Sequence, residues 1–413
     1  MRLPTVTRRA LPALVGTVAC ALAVGACRPP DVMSRVLGDD PPTARGTAAA
    51  AAPARFVHPG VLVSRPQLRF VRARVRAGRQ PWAAAFAAMM ASPYADLARR
   101  PRARRVVTCG PYSRPNLGCT DERQDALAAY THALAWFVTR DRRHARAAIR
   151  LMNAWSRVIR AHRGPNAPLQ TAWAGSVWPR AAEIVAATHR WPRARRFRRM
   201  LRRVYLPQVI RGAPGRNGNW ELTMMDASIG IAVHLERRRA YRRAVRRFLR
   251  RVPAYLYLES DGALPRTDGA GAPRGRDAVL DYWHRPATLQ TGLAQETCRD
   301  FTHAGYGLAA IAHVAETARI QGRDLYPRVA ERLRHALGFH ARHELGMATT
   351  GNPCRTALDL GLGPVTEVGF NALHRRLGHA MAATQRLTEE RRPAGTNDLF
   401  VAWETLTHAE NPR

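Results

Sequence analysis

The stretch ERRRAYRRAVRRFLRR at residues 236–251 constrains the chain more than any other. Tyr241, Ala244, Val245, Phe248, Leu249 and then Val252 recur at the spacing of a 3.6-residue turn, and paired arginines fill the positions between them. Such a segment is a helix with one buried stripe and one wet face. RFRRMLRRVYLPQVI at 196–210 repeats the theme, RQDALAAYTHALAWFVTR at 123–140 is strongly amphipathic, and Ala145 to Arg160 follows as a further helix. Only AYLYLES at 254–260 looks extended. Helices arriving in pairs between Gly/Pro loops, without strand alternation, predict an all-α domain. About a dozen helices over residues 58–413 suit a single α/α toroid, complete or partial, with long Gly/Pro-rich loops. The longest loop, SDGALPRTDGAGAPRGRDAVL at 260–280, is placed to rim or roof a cleft.

The N-terminus sets the compartment. Arg2, Arg8 and Arg9 precede an apolar run from Ala10 to Val24 and a small-residue exit, so residues 1–26 read as a secretory signal peptide. VGAC at 24–27 fits either a lipobox, with Cys27 lipidated, or a plain cleavage site after Ala26. Residues 27–57 read as a disordered Pro- and Ala-rich tether. The expected protein is therefore extracytoplasmic, secreted or held at the membrane only by a lipid on Cys27, and a monomer. The mature chain keeps Cys109, Cys119, Cys298 and Cys354, which in an oxidising compartment suggest two disulfides. CGPYSRPNLGC closes on its own ends, which favours 109–119 with 298–354 among the three pairings. No CxxC or HxxxH spacing supports a metal site, and neither metal nor cofactor is expected.

The net charge is +36, and all 66 basic residues are arginine. Composition of this kind follows from a GC-rich genome, yet it still attracts polyanions. Export argues against nucleic acid and leaves anionic polysaccharide as the expected partner.

Five stretches carry chemistry. In QETCRDFTHAGYGLAAIAHVAETA (295–318), Arg299, His303 and Tyr306 are spaced i, i+4, i+7 and share one helical face. A nearby cation stabilises a phenolate and brings Tyr306 closer to working pH, and Gly305 and Gly307 leave room for a bulky chain beside it. In GRNGNWELTMMDASIGIAV (215–233), Asn217, Gly218, Asn219 and Trp220 lead into a helix capped by Asn219, a polarised end suited to a carboxylate. NAPLQTAWAGSVWPRAAEI (166–184) offers Gln170, Trp173 and Arg180 for stacking on sugar and gripping carboxylate. GPVTEVGFNALHRRLG (363–378) presents Asn371 and His374, and DYWHR (281–285) presents Tyr282 and His284. Each has an ordinary structural reading too, as core aromatic, helix cap or salt-bridged face.

Together HPGVLVSRPQL (58–68), NGNWELTMMDASIGIAV and QETCRDFTHAGYGLAAIAHVAETA resemble the alginate lyase domain family, exported α/α-toroid polysaccharide lyases, over most of residues 58–380. The resemblance implies metal-independent β-elimination on a uronic-acid polymer. Tyr306 would be the acid, Arg299 and an asparagine would neutralise the uronate carboxylate, and a histidine would assist. The asparagine falls on Asn217 or Asn219. The family's histidine directly after it is replaced here by Gly218 or Trp220, so His303, His284 or Tyr306 itself remains as base. Two rivals stand beside this reading: a glycoside hydrolase with paired carboxylates, and a non-catalytic lipoprotein that binds anionic glycans.

Overall fold

The computed structural model describes residues 52–268 and 271–413. The expected signal peptide, Cys27 and all but the last residues of the expected tether lie outside them. Packing is under way before His58: the Phe56 ring meets Tyr241 and the Val57 amide donates to Gln321.

Two kinds of helix alternate along the chain. The first kind is buried on almost every side: α3 (Cys119–Thr139), α5 (Ala167–Thr188), α7 (Gly218–His234), α10 (Phe301–Ile320) and α12 (Glu367–Phe370), the last prolonged by a wider-wound segment Asn371–Arg376. The second kind buries one stripe: α4 (Arg142–Val158), α6 (Ala194–Met200), α8 (Arg238–Arg251), α11 (Tyr326–Glu344) and α13 (Ala382–Glu390). A helix apolar all round must be enclosed, and an arginine-faced one must cover it. Accordingly α3, α5, α7, α10 and α12 pack in succession as an inner ring, with the amphipathic helices outside. α14 (Glu404–His408) touches α12 and α1 (Arg65–Arg76), and α1 touches α3, so contacts run right round the circuit. This is an α/α toroid. In α8 the predicted stripe of Tyr241, Ala244, Val245 and Phe248 is buried, as is Val252 beyond it.

Enclosed helices cannot leave polar groups unpaired without cost. The ring axis carries a hydrogen-bonded network that pairs most, though not all, of its polar atoms, Arg180 Nε and Glu404 Oε2 being left over. Arg180 on α5 donates to Asp226 on α7 at 2.8 Å and to the Phe400 carbonyl at 2.8 Å. His313 on α10 bridges Asp226 at 3.1 Å and Glu404 on α14 at 2.6 Å. Four inner elements are thereby locked in rotation about their axes.

The β structure is small. β1 (Gly60–Val61) and β2 (Val63–Ser64) make a tight hairpin ahead of α1. β3 (Val106–Cys109) lies between antiparallel β4 (Asn116–Leu117) and parallel β5 (Ala161–Arg163). Of the segment 254–260, expected to be extended, only Leu256 to Leu258 is so: Ala254 and Tyr255 form a turn, Glu259–Asp261 is a 3-10 turn, and the one pairing is the bridge Leu256↔Ala294. The segment's backbone bonds to Leu293 and Gln295 brace the turn that precedes α10. Both predicted disulfides are present, Cys109–Cys119 and Cys298–Cys354. Among the described residues no helix is long and apolar enough to cross a membrane.

Candidate active site

The N-terminal turns of α3, α5, α7 and α10 open on one cleft of about 650 Å³. It is lined by Arg123 on α3, Trp173 on α5, Asn217 and Trp220 at the head of α7, and Arg299, His303 and Tyr306 at the head of α10. Helix N-termini carry partial positive charge, and Arg123, Arg216 and Arg299 add three full charges. None of the lining side chains is a carboxylate.

α10 starts later than the periodicity suggests. Asp300 is its cap: the carboxylate accepts from the His303 amide at 2.6 Å, and the helix begins at Phe301. Arg299 therefore reaches the cleft from a turn and not from the helix face. The same Asp300 carboxylate lies 2.6 Å from His303 Nδ1, which assigns the Nδ1 proton to that bond and leaves Nε2 as an acceptor. Burial pushes the Asp300 carboxyl up, but the ring and backbone bonds from His303 and the charge of Arg299 outweigh it and hold it below the usual range. The His303 ring meets the Tyr306 ring edge-on at 5.3 Å.

For Tyr306 the expected direction is reversed. Burial, then the nearby Asp300 carboxylate, raises its phenol above the ordinary value, and Arg299 and Arg123 only partly oppose this. The phenol is thus kept protonated. The glycines beside it also serve a different purpose. A Cβ on Gly307 would fall 2.2 Å from the Tyr255 ring, and one on Gly305 would fall 2.4 Å from the Leu362 carbonyl. Gly218 faces Tyr255 at 2.2 Å in the same way. The glycines admit protein, and Tyr255 is wedged between the heads of α7 and α10.

Beneath the cleft lies Glu296, wholly buried. It accepts from Arg299 Nη1 at 2.9 Å and Asn219 Nδ2 at 2.8 Å, with the Tyr255 hydroxyl at 3.3 Å. Burial pushes its carboxyl up against the opposing charges of Arg299 and His303. Asn219 is not the cap of α7. That position belongs to Asn217, and Asn219 sits inside the first turn, fully buried, with its amide donated to Glu296. Asn217 Oδ1 accepts from Gln295 Nε2 at 3.3 Å, which turns its own NH₂ group to other partners.

Several expected ligand-binding residues have structural duties. Gln170 is fully buried, receiving Arg123 Nη1 at 2.6 Å and donating to Glu122 at 2.7 Å, so it props Arg123 and does not meet a ligand. Arg180 belongs to the axial network, beyond reach of the cleft. Asn371 is buried against the Asn411 carbonyl, and His374 stacks on Phe370 with its Nδ1 on the His379 carbonyl. Tyr282 donates to the Arg216 carbonyl at 2.7 Å and lines a separate small cavity with Asp268. His284 stands behind Arg299 and does not line the cleft; burial, then the charge of Arg299, lowers its pKa. Among the described residues of the 260–280 loop, Arg266 to Asp268 and Gly271 to Pro273 line the small cavity beside Gly215, which also borders the cleft, and none of them lines the cleft itself.

Sequence reasoning missed Arg123, Arg216 and Tyr112. The Arg123 guanidinium lies 5.4 Å over Trp173 and that of Arg216 lies 5.1 Å over Trp220. Tyr112 is 84% exposed at the tip of the loop closed by Cys109–Cys119, with φ +48°. The one arginine within α3, set among acids at its head, and a tyrosine in a cross-linked loop were the available signals.

A family profile described as alginate lyase matches residues 80–348. The chain belongs to the alginate lyase family. As a member it is a polysaccharide lyase. Three solved structures share the fold across nearly their whole length. Alginate lyase A1-III from Sphingomonas species A1 is 14% identical, with TM-score 0.57, over 86% of this chain and 97% of that one. A histidine-to-alanine variant of A1-III, complexed with tetrasaccharide, is 13% identical, with TM-score 0.56, over 88% and 96%. An alginate lyase from Bacteroides ovatus is 11% identical, with TM-score 0.58, over 86% and 100%. At such identities the similarity is one of fold. No curated protein matches this chain.

Proposed function

We propose that this alginate lyase family member is an exported enzyme that cleaves a uronic-acid polymer by metal-independent β-elimination. The observation that carries the reading is the meeting of Arg299, His303 and Tyr306 in one cationic, carboxylate-free cleft. The polymer lies across Trp173 and Trp220, whose flat rings suit sugar faces. Arg299 and the Asn217 amide hold the uronate carboxylate, and in doing so stabilise the charge that builds when its α proton leaves. His303, oriented by Asp300, takes the C5 proton on Nε2. The electron pair forms the C4=C5 double bond, the C4–O bond breaks, and the protonated Tyr306 phenol gives its proton to the departing oxygen. The His303–Asp300 pair thus takes the place of the histidine that Gly218 replaces directly after Asn217. Glu296 keeps Arg299 and the head of α7 in register.

A hydrolase would need two carboxylates facing the bond. Glu183, Glu221, Asp226, Glu296 and Asp300 are each engaged with basic partners, and none lines the cleft. Two disulfides accord with export, the protein being either free or anchored through Cys27.

The test is the ultraviolet absorbance of unsaturated uronate, followed over time with alginate, poly-glucuronate and hyaluronan as substrates. Signal from one polymer that disappears in Tyr306→Phe supports the proposal. Silence on every uronan, with binding intact, would sink it in favour of a glycan-binding protein.

A further inference from the structure

A second cavity of about 650 Å³ lies between the C-terminal end of α4 and α6, and it shares no residue with the cleft. α6 continues there through a wider-wound segment, Leu201–Tyr205. The cavity walls are Arg157, Arg160, Arg196, Arg199 and Arg203, all exposed, and its floor includes the buried Ile159 and Met200. Arg199 also borders a smaller cavity of about 270 Å³, which adds four further arginines, from Arg195 on α6 to Arg237 ahead of α8. Neither cavity has a carboxylate in its lining. Some arginines elsewhere find acids, as in Arg99–Asp125, Arg376–Glu316 and Arg392–Glu367, and others, such as Arg72 and Arg242, stand singly on helix faces. What sets this groove apart is the gathering of so many around one concavity. None of the arginines lining these two cavities forms an ion pair among the described residues.

A GC-rich codon bias scatters arginines, but it does not strip acids from a concave track. Like charges gathered in a groove repel one another, and an external polyanion relieves that repulsion. The dimensions favour a chain. Arg196, Arg199 and Arg203 recur at successive turns, and each turn advances by about 5.4 Å, close to the length of one pyranose residue in a polymer. The recessed apolar floor suits the C–H face of a sugar ring. A bilayer would call for projecting hydrophobic side chains, and the large exposed ones, such as Tyr112, Leu117 and Met347, lie elsewhere.

We infer that this arginine groove is a second binding site for a polyuronate chain, one that holds the polymer outside the cleft. The inference takes its ligand class from the uronate reading of the cleft. Two sites on one polymer raise its effective concentration at the cleft without any new catalytic contact.

The experiment uses the full mature chain carrying Tyr306→Phe, which prevents turnover, with and without Arg157→Gln, Arg160→Gln, Arg199→Gln and Arg203→Gln. Calorimetry at one salt concentration compares long polyuronate with an oligouronate that spans only the cleft. Polymer affinity is expected to fall by roughly tenfold or more in the fourfold variant, with oligomer affinity held within about twofold. The single charge reversal Arg199→Glu, which disturbs folding less, is expected to act in the same direction. Unchanged polymer binding overturns the inference. So does a variant that loses affinity for phosphatidylglycerol vesicles or duplex DNA while keeping polyuronate. If the unmutated enzyme yields no unsaturated product, the catalytic reading fails, and polymer binding still decides the groove by itself.

Discussion

At the scale of single residues, the proposed mechanism has the cleft separate an acid, Tyr306, from a base, His303, by their environments. Tyr306 is held protonated by burial and by Asp300, so its ionisation lies above the ordinary tyrosine value of about 10. The rate is therefore expected to show no loss from phenol ionisation until the pH passes that value, which a pH profile of kcat checks. Tyr306→Phe should lower kcat by roughly 10²–10⁴-fold, the usual scale of a positioned proton donor, with binding of oligouronate nearly unchanged. Asp300→Asn keeps the size of the cap but weakens its hold on the imidazole. Its kcat is expected to fall while KM moves little, and a change confined to KM would remove His303 from the chemistry. Arg299, His303 and Tyr306 were legible as types at a spacing. The partition between Asn217 and Asn219 was not, because it depends on a helix starting one residue before Asn219.

At the scale of elements, two local devices set the geometry. Asp300 caps α10 and orients His303 with one carboxylate, so Asp300→Ala should cost about 1 kcal/mol of stability in a denaturant titration along with its loss of rate. The Cys109–Cys119 bridge closes a short loop and presents Tyr112 at the cleft edge. Replacing both cysteines by serine should destabilise the fold by roughly 2–3 kcal/mol and raise KM more than it lowers kcat. An unchanged KM would detach that loop from substrate. Gly307 and Gly218 illustrate where spacing misleads. A glycine beside a catalytic side chain suggests ligand access, yet here the neighbouring space is filled by Tyr255 from a segment some fifty residues away in sequence from Gly307 and nearer forty from Gly218.

At the scale of the whole molecule, stability depends on histidines held neutral inside the ring. Burial lowers His132, His340 and His408 to about 4. The unfolded chain takes up these protons near 6.5, so their contribution is complete above that pH and is lost as the pH falls towards 4. Glu183, pulled to about 2 by His234 and His58 against the effect of burial, adds stability that is present above its unfolded value of 4.5 and is lost below it. His58 has the opposite sign: its raised pKa contributes below 6.5 and fades as the pH rises, discounted because the ring is part-exposed. The urea midpoint is therefore expected to fall on acidification from 6.5 to 4, and a flat midpoint would contradict this burial. Helix type, the toroid and the disulfide loop were determined by the sequence, because periodicity and residue chemistry act over a few turns. Which polar residues line the cleft was decided only by tertiary structure. Gln170, Arg180, Asn219 and Asn371 carry the same chemistry as true ligands, but the closing of the ring buries them and gives their hydrogen bonds to partners 40 to 77 residues away, at Glu122, Asp226, Glu296 and Asn411.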